Sequence, residues 1–122
     1  MANIGNLDDK VAIITGSSSG IGRAIAIAYA HAGAFVVCAD LTPAPPATPM
    51  LQNKLQQEDL TTPTHEVINS QFPEKNGNPR AIFLKTDVTK EDNIKSTLAS
   101  TVETYGRLDV LVNNAGWSRI KP

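Results

Sequence analysis

The stretch that most limits what this chain can fold into is Val11–Asp40, VAIITGSSSGIGRAIAIAYAHAGAFVVCAD. Lys10–Thr15 is a short apolar, β-branched run that breaks off at a Gly/Ser cluster, the pattern of a buried strand entering a turn. From Gly20 to His31 the residues Ile21, Ile25, Ala28 and Ala32 recur at spacings of three and four, which predicts a helix with that set as its apolar face. Gly33 is placed to end the helix, and Ala34–Ala39 is a second apolar run. Two fully apolar strands joined through a helix must lie parallel, with a right-handed crossover.

The turn between strand and helix carries Gly16, Gly20 and Gly22 in the order Gly-x-x-x-Gly-x-Gly, which differs from the commoner Gly-x-Gly-x-x-Gly pattern. Small residues there serve three needs. One glycine allows a tight turn, another lets backbone N–H groups approach a ligand closely, and the third lets the helix pack near the strand. A helix N-terminus adds free N–H donors and a partial positive charge, so the loop is suited to a pyrophosphate, with Ser17, Ser18 and Ser19 as further donors. Asp40 lies 18 residues beyond Gly22, at the end of the second run. A carboxylate there accepts hydrogen bonds from ribose hydroxyls and repels a 2′-phosphate, so NAD is favoured over NADP. Neither Ser19 nor Leu41 supplies a compensating cation, and Arg23, on the helix, is a weaker candidate.

Beyond Asp40 the composition changes. Six of the eight prolines lie between Leu41 and Asn78, which predicts a long loop. A helix restarts within TTPTHEVINSQF, with Thr62 as cap and Pro63 in the first helical position, and a shorter one is expected around Leu51–Asp59. Arg80–Lys85 reads as a third strand. The following helix takes Thr89 as N-cap, presents Ile94, Leu98 and Val102 on one face, and ends at Gly106. Leu108–Gly116 reads as a fourth strand running into a polar turn. This alternation predicts a single, incomplete α/β domain over residues 1–122. Its sheet is of the doubly wound, Rossmann type, parallel, in order 3-2-1-4, with residues 41–78 inserted.

Composition narrows the function classes. A net charge of −1 offers no basic face for nucleic acid. No apolar run approaches the roughly 20 residues that span a bilayer, and MANIGNLDDK lacks the apolar core of a signal peptide, so a soluble, cytoplasmic protein is expected. The single cysteine, Cys38, is expected to be a buried packing residue. His31 and His65 have no metal-ligand spacing and are expected on the surface.

TGSSSGIG at Thr15–Gly22, DV at Asp87–Val88 and NNAG at Asn113–Gly116 together resemble the N-terminal half of the short-chain dehydrogenase/reductases, from about Asp8 to Gly116. The resemblance implies that Gly16, Ser18, Ser19 and Ile21, with Gly20 and Gly22 of the same loop, line the pyrophosphate. It implies that Asp40 and Leu41 flank the adenosine ribose, that Asp87 meets the adenine amino group, and that Val88 packs on the ring. Asn114, Ala115 and Gly116 would pass beside the ribose, and Asn113 would help hold the central strand. The alternatives are a turn-capping Asp87 and turn-forming Asn113 and Asn114; taken together with the glycine loop, the cofactor-binding reading is favoured over them. The segment after Asp40 is longer than the family pattern.

The family transfers hydride between a nicotinamide and an alcohol or carbonyl, using a tyrosine with a lysine four residues later and a serine. Here Tyr29 is followed at that spacing by Gly33 and Tyr105 by Asp109, so both tyrosines read as packing residues and no catalytic residue is assigned. The expectation is a cofactor-binding half that is inactive by itself. A non-enzymatic dinucleotide-binding module and a truncated product without its own function are the alternatives. The last strand, apolar on both faces, is expected to leave an open edge through which chains associate.

Overall fold

The computed structural model of the chain describes residues 6–44 and 61–115. Four strands, β1 (Val11–Thr15), β2 (Phe35–Asp40), β3 (Ala81–Lys85) and β4 (Val110–Val112), form a parallel sheet in the order β3-β2-β1-β4. Helices α1 (Gly20–His31), α2 (Thr64–Gln71) and α3 (Glu91–Tyr105) connect them. The expected order and the parallel pairing are both observed. The helix expected around Leu51–Asp59 lies outside the described residues.

The continuous apolar runs of β1 and β2 follow from their central position, since both faces of each strand are covered. Ala12, Ile14, Val36 and Cys38 join Ala26, Ala30 and Ile68 in one core layer, with α1 and α2. Ile13, Val37 and Ala39 face the other way, towards Leu98 and Tyr105 of α3. Arg80, just ahead of β3, closes one end of the first layer. Its Nη2 donates to the carbonyls of Ala30 (2.6 Å) and Ala34 (3.0 Å), which caps the C-terminal end of α1, and its guanidinium lies over the Phe72 ring.

Several details depart from the sequence reading. The face that α1 buries is Gly22, Arg23, Ala26 and Ala30, whereas Ile21 is 72% exposed and Ala28 is exposed too. Glycine and alanine let the helix lie close on β1, and the larger isoleucines are displaced to its flanks. Helix α3 likewise turns threonines inward. Thr97 and Thr101 are buried, Thr97 shares a 2.6 Å hydrogen bond with Thr86, and Ile94 and Val102 stand exposed. Thr89 is not the cap of α3, because its hydroxyl is committed to Asp87, and Lys90 takes that position. Pro63 stands just outside α2 rather than in its first turn, with an extended ψ of 140°. His65 is half-buried against Phe83, and burial lowers its pKa. Cys38 is buried as expected, and burial pushes its thiol up to about 12, so it is no nucleophile at neutral pH.

Strand β4 is short and sits at the sheet edge, with Leu111 55% exposed. One side chain fixes where it starts. The Asp109 carboxylate accepts the backbone N–H of Val11 (2.9 Å) and a two-pronged contact from Arg107 (both 2.8 Å), while the Asp109 N–H donates to the Val11 carbonyl. These bonds, first among them those from Arg107, hold the carboxyl below its ordinary value. Because the folded pKa is depressed, the stabilisation is complete above the ordinary value of 3.8 and is lost as pH falls below it. Asp109→Ala orphans the buried Val11 N–H and is expected to cost about 1–3 kcal/mol. Its destabilisation in urea melts should shrink between pH 7 and pH 3, and a pH-independent difference would contradict this account.

Candidate functional site

The carboxyl ends of β1, β2, β3 and β4 open onto one groove of about 810 Å³. Gly16, Ser18 and Ser19 form its floor, Asp40 and Leu41 one wall, Asp87 and Val88 a second, and Asn114 and Ala115 a third. Nine of the residues singled out in the sequence therefore meet in one place. Gly20, Ile21 and Gly22 open α1 directly behind the floor. Gly116 lies outside the described residues, and Asn113 is exposed beside a smaller cavity on the α3 side of the sheet.

The floor is shaped by backbone geometry. Gly20 has a φ of +59° with open space where a β-carbon would stand, as a loop must have if a ligand is to approach its backbone. Ser19 precedes α1 in extended conformation and makes no capping bond with its hydroxyl, and the first turn holds no acidic residue. The leading N–H groups of α1 and the Ser19 hydroxyl are thus left for an anion.

At the first wall, Asp40 ends β2. Its Oδ2 accepts from the Ser18 N–H (3.0 Å) and the Ser18 hydroxyl (2.6 Å), and its Oδ1 from the Leu41 N–H (2.7 Å). The acid thereby ties the glycine loop to the end of β2. No ion pair among the described residues engages it. Arg23, the weaker candidate cation, is buried at 7% exposure with its Nη1 on the Thr62 carbonyl and the Thr64 hydroxyl.

At the second wall, Asp87 does cap a turn. Its Oδ1 accepts from the N–H (3.0 Å) and hydroxyl (2.6 Å) of Thr89, bonds that lower its pKa. Both bonds use one oxygen, so the turn-forming and ligand-facing readings of this acid are compatible. At the third wall, the Asn114 side-chain amide donates to the Gly16 carbonyl (3.3 Å).

Thr15 and Thr86 were missed in the sequence, and so were Thr42, Ala44 and Thr89, which line the same groove. The Thr15 hydroxyl donates to the Val112 carbonyl and accepts the N–H groups of Asn114 (2.8 Å) and Ala115 (3.0 Å), which joins the glycine loop to the turn after β4. Thr86 lines the groove between β3 and Asp87. The only available signal was a threonine at the end of an apolar strand, where a β-branched residue needs no special explanation. The two tyrosines stay in packing positions. Tyr105 stacks on Phe35 and donates its hydroxyl to the Pro79 carbonyl (2.8 Å), and Tyr29 packs on the α1 core layer.

Sheet order, crossover helices and a groove at the carboxyl ends of the strands define a Rossmann-type α/β domain. The short chain dehydrogenase family matches residues 10–67 and 59–122, so the chain belongs to that family. It is 32% identical over 111 residues to an NAD-dependent glycerol dehydrogenase of Listeria innocua, covering 91% of this chain and 34% of that protein. Among solved structures it is similar to a hydroxysteroid dehydrogenase from Escherichia coli, with TM-score 0.68, 32% identity, and 96% and 41% of the two chains covered. It is also similar to a 3-ketoacyl-(acyl-carrier-protein) reductase from Brucella melitensis complexed with NADH, with TM-score 0.64, 28% identity, and 91% and 36% covered. The chain spans about a third of the length of the curated relatives it matches. Among the described residues no helix is long and apolar enough to cross a membrane.

Proposed function

We propose that these 122 residues are the cofactor-binding portion of an NAD(P)-dependent oxidoreductase that moves hydride between a nicotinamide and an alcohol or carbonyl. The observation that carries this reading is the convergence of the glycine loop, Asp40, Asp87 and Asn114 on one groove at the N-terminus of α1. The similar proteins include an NAD-dependent enzyme and a reductase complexed with NADH, which supports it.

The residues present fit a dinucleotide. The free N–H groups of Gly20, Ile21 and Gly22, with Ser19, would hold the pyrophosphate. The Asp40 carboxylate would accept the adenosine ribose hydroxyls, which favours NAD over NADP. Asp87 would accept the adenine amino group through Oδ2, with Val88 against the ring, and Asn114 and Ala115, with Gly116, would border the nicotinamide-side ribose. When bound, the nicotinamide supplies or accepts the hydride. No residue of the chain is assigned to proton transfer in this reading, since Tyr29 is followed four residues later by Gly33 and Tyr105 by Asp109 rather than by a lysine.

The test is a fluorescence titration of the 122-residue chain with NADH, followed by assay with alcohols and ketones. Saturable binding without turnover is expected. Absence of binding by a folded chain would refute the reading, and turnover by this chain would refute its inactivity alone.

We propose further that the chain self-associates along the edge of β4, which pairs with no further strand among the described residues and where Leu111 is exposed and lines one cavity with Ile94. Sedimentation equilibrium should show a dimer or larger species that Leu111→Lys reduces, and a monomer at all concentrations would contradict this.

A further inference from the structure

The helix that leaves the proline-rich segment is fastened to the underside of the cofactor groove by one fully buried residue, Thr64. Its hydroxyl donates to the Ser17 carbonyl at 2.8 Å, within the glycine loop. The same oxygen accepts Nη1 of Arg23 at 3.0 Å, and that nitrogen also donates to the Thr62 carbonyl at 2.7 Å. The backbone N–H of Thr64 donates to the Pro43 carbonyl at 3.2 Å, three residues beyond Asp40. Thr64 is therefore bonded to the glycine loop that forms the floor of the groove and to the segment that follows the Asp40 wall. It does not line the groove itself.

The neighbouring chemistry makes this bond matter. Ser17 is fully buried, and its own hydroxyl has no conventional partner among the described residues, only a weak contact with the Cys38 thiol. The tie to Thr64 is thus what satisfies this residue's backbone carbonyl. The next residue, Ser18, is the one that donates twice to Asp40. A shift at Ser17 passes directly into the pair of residues that face the pyrophosphate and the ribose. The buried guanidinium of Arg23 orients the Thr64 hydroxyl, because a cationic donor on the oxygen leaves its proton pointing at the Ser17 carbonyl.

We infer that Thr64, oriented by Arg23, is a positioning residue that sets the spacing between the pyrophosphate loop and the ribose-binding wall, and so tunes affinity for ligands that touch both. This rests on the dinucleotide reading above. A ligand that spans the glycine-loop floor and the Asp40 wall needs both at a fixed distance, whereas adenosine, lacking phosphates, needs only the Asp40 and Asp87 walls.

The experiment compares wild type, Thr64→Val and Thr64→Ser by NADH and adenosine titration, with thermal melts alongside. Valine keeps the shape and removes the hydroxyl. It is expected to weaken NADH binding by about tenfold, the size of roughly one buried hydrogen bond, and to change adenosine affinity by less than about twofold. Thr64→Ser restores the hydroxyl and is expected to bind NADH within about twofold of wild type. Unchanged NADH affinity in Thr64→Val overturns the inference, as does an equal loss for NADH and adenosine. If Thr64→Val does not melt cooperatively, Thr64→Ser decides: retained affinity upholds the role of the hydroxyl, and a tenfold loss overturns it. A wild-type chain that folds and binds no NADH refutes the dinucleotide reading instead, so the two failures are distinguishable.

Discussion

Gly22→Ala is expected to lower the stability of the chain by about 3 kcal/mol or more, a fall in Tm of roughly 10 °C or more, and to abolish NADH binding with it. A β-carbon on Gly22 would overlap the Gly16 carbonyl and come within 2.7 Å of the Asn114 side chain. The first obstacle is backbone, fixed by the hydrogen bond from the Gly16 N–H to the Ala39 carbonyl at 2.8 Å, so it cannot swing aside as a long side chain would. Gly20→Ala is the informative contrast. It meets nothing within 4 Å, and its only intrinsic penalty is the left-handed φ of +59°, about 1–2 kcal/mol. It is expected to remain folded while losing NADH affinity, because its methyl would occupy the space beside the N–H groups assigned to the pyrophosphate. Thermal melts and titrations of the two variants separate these roles. A Gly22→Ala chain as stable as wild type would show that α1 can withdraw from β1, contrary to the packing described.

The second large effect concerns Asp40. Asp40→Ala is expected to weaken NADH binding by ten- to a hundredfold, since it removes the charged acceptor proposed for the adenosine ribose and releases Ser18 and Leu41 from their common anchor. NADPH affinity should fall by less, because the same substitution removes the charge that repels a 2′-phosphate. The ratio of the two affinities therefore moves towards NADPH. Asp40→Asn keeps an acceptor oxygen and loses the charge, so it should shift the ratio with a smaller loss of NADH affinity. Equal losses for both cofactors in Asp40→Ala would mean that the acid serves only as the anchor of Ser18.

The legible part of this chain was the part that backbone constraints write directly. Apolar runs without alternation marked β1 and β2 as central, and glycines at three positions between a strand and a helix marked the loop. An acid after β2 marked a wall of the groove. What the sequence hid was orientation within elements. The isoleucines of α1 looked like its buried face by spacing and size, but the face it buries is Gly22, Arg23, Ala26 and Ala30, Ile25 and Ile27 pack at the flanks, and Ile21 is left outside. In α3 Thr97 took the inner face, where its hydroxyl finds Thr86, and Thr101 is buried as well, with its hydroxyl bonded back to the Thr97 carbonyl of the same helix. Helix periodicity carries no information about such bonds. Thr15 and Thr64 were silent for the same reason, since their roles depend on partners 97 and 47 residues away along the chain.

The measurement that bears most directly on the central claim is a backbone amide NMR titration of the 13.0 kDa chain with NADH. If the glycine loop cradles the pyrophosphate, the amides of Ser19, Gly20, Ile21 and Gly22 shift together and saturate at one dissociation constant shared with Asp40 and Val88. Saturable NADH binding that leaves the Gly20–Gly22 amides unmoved would place the cofactor elsewhere and contradict the account.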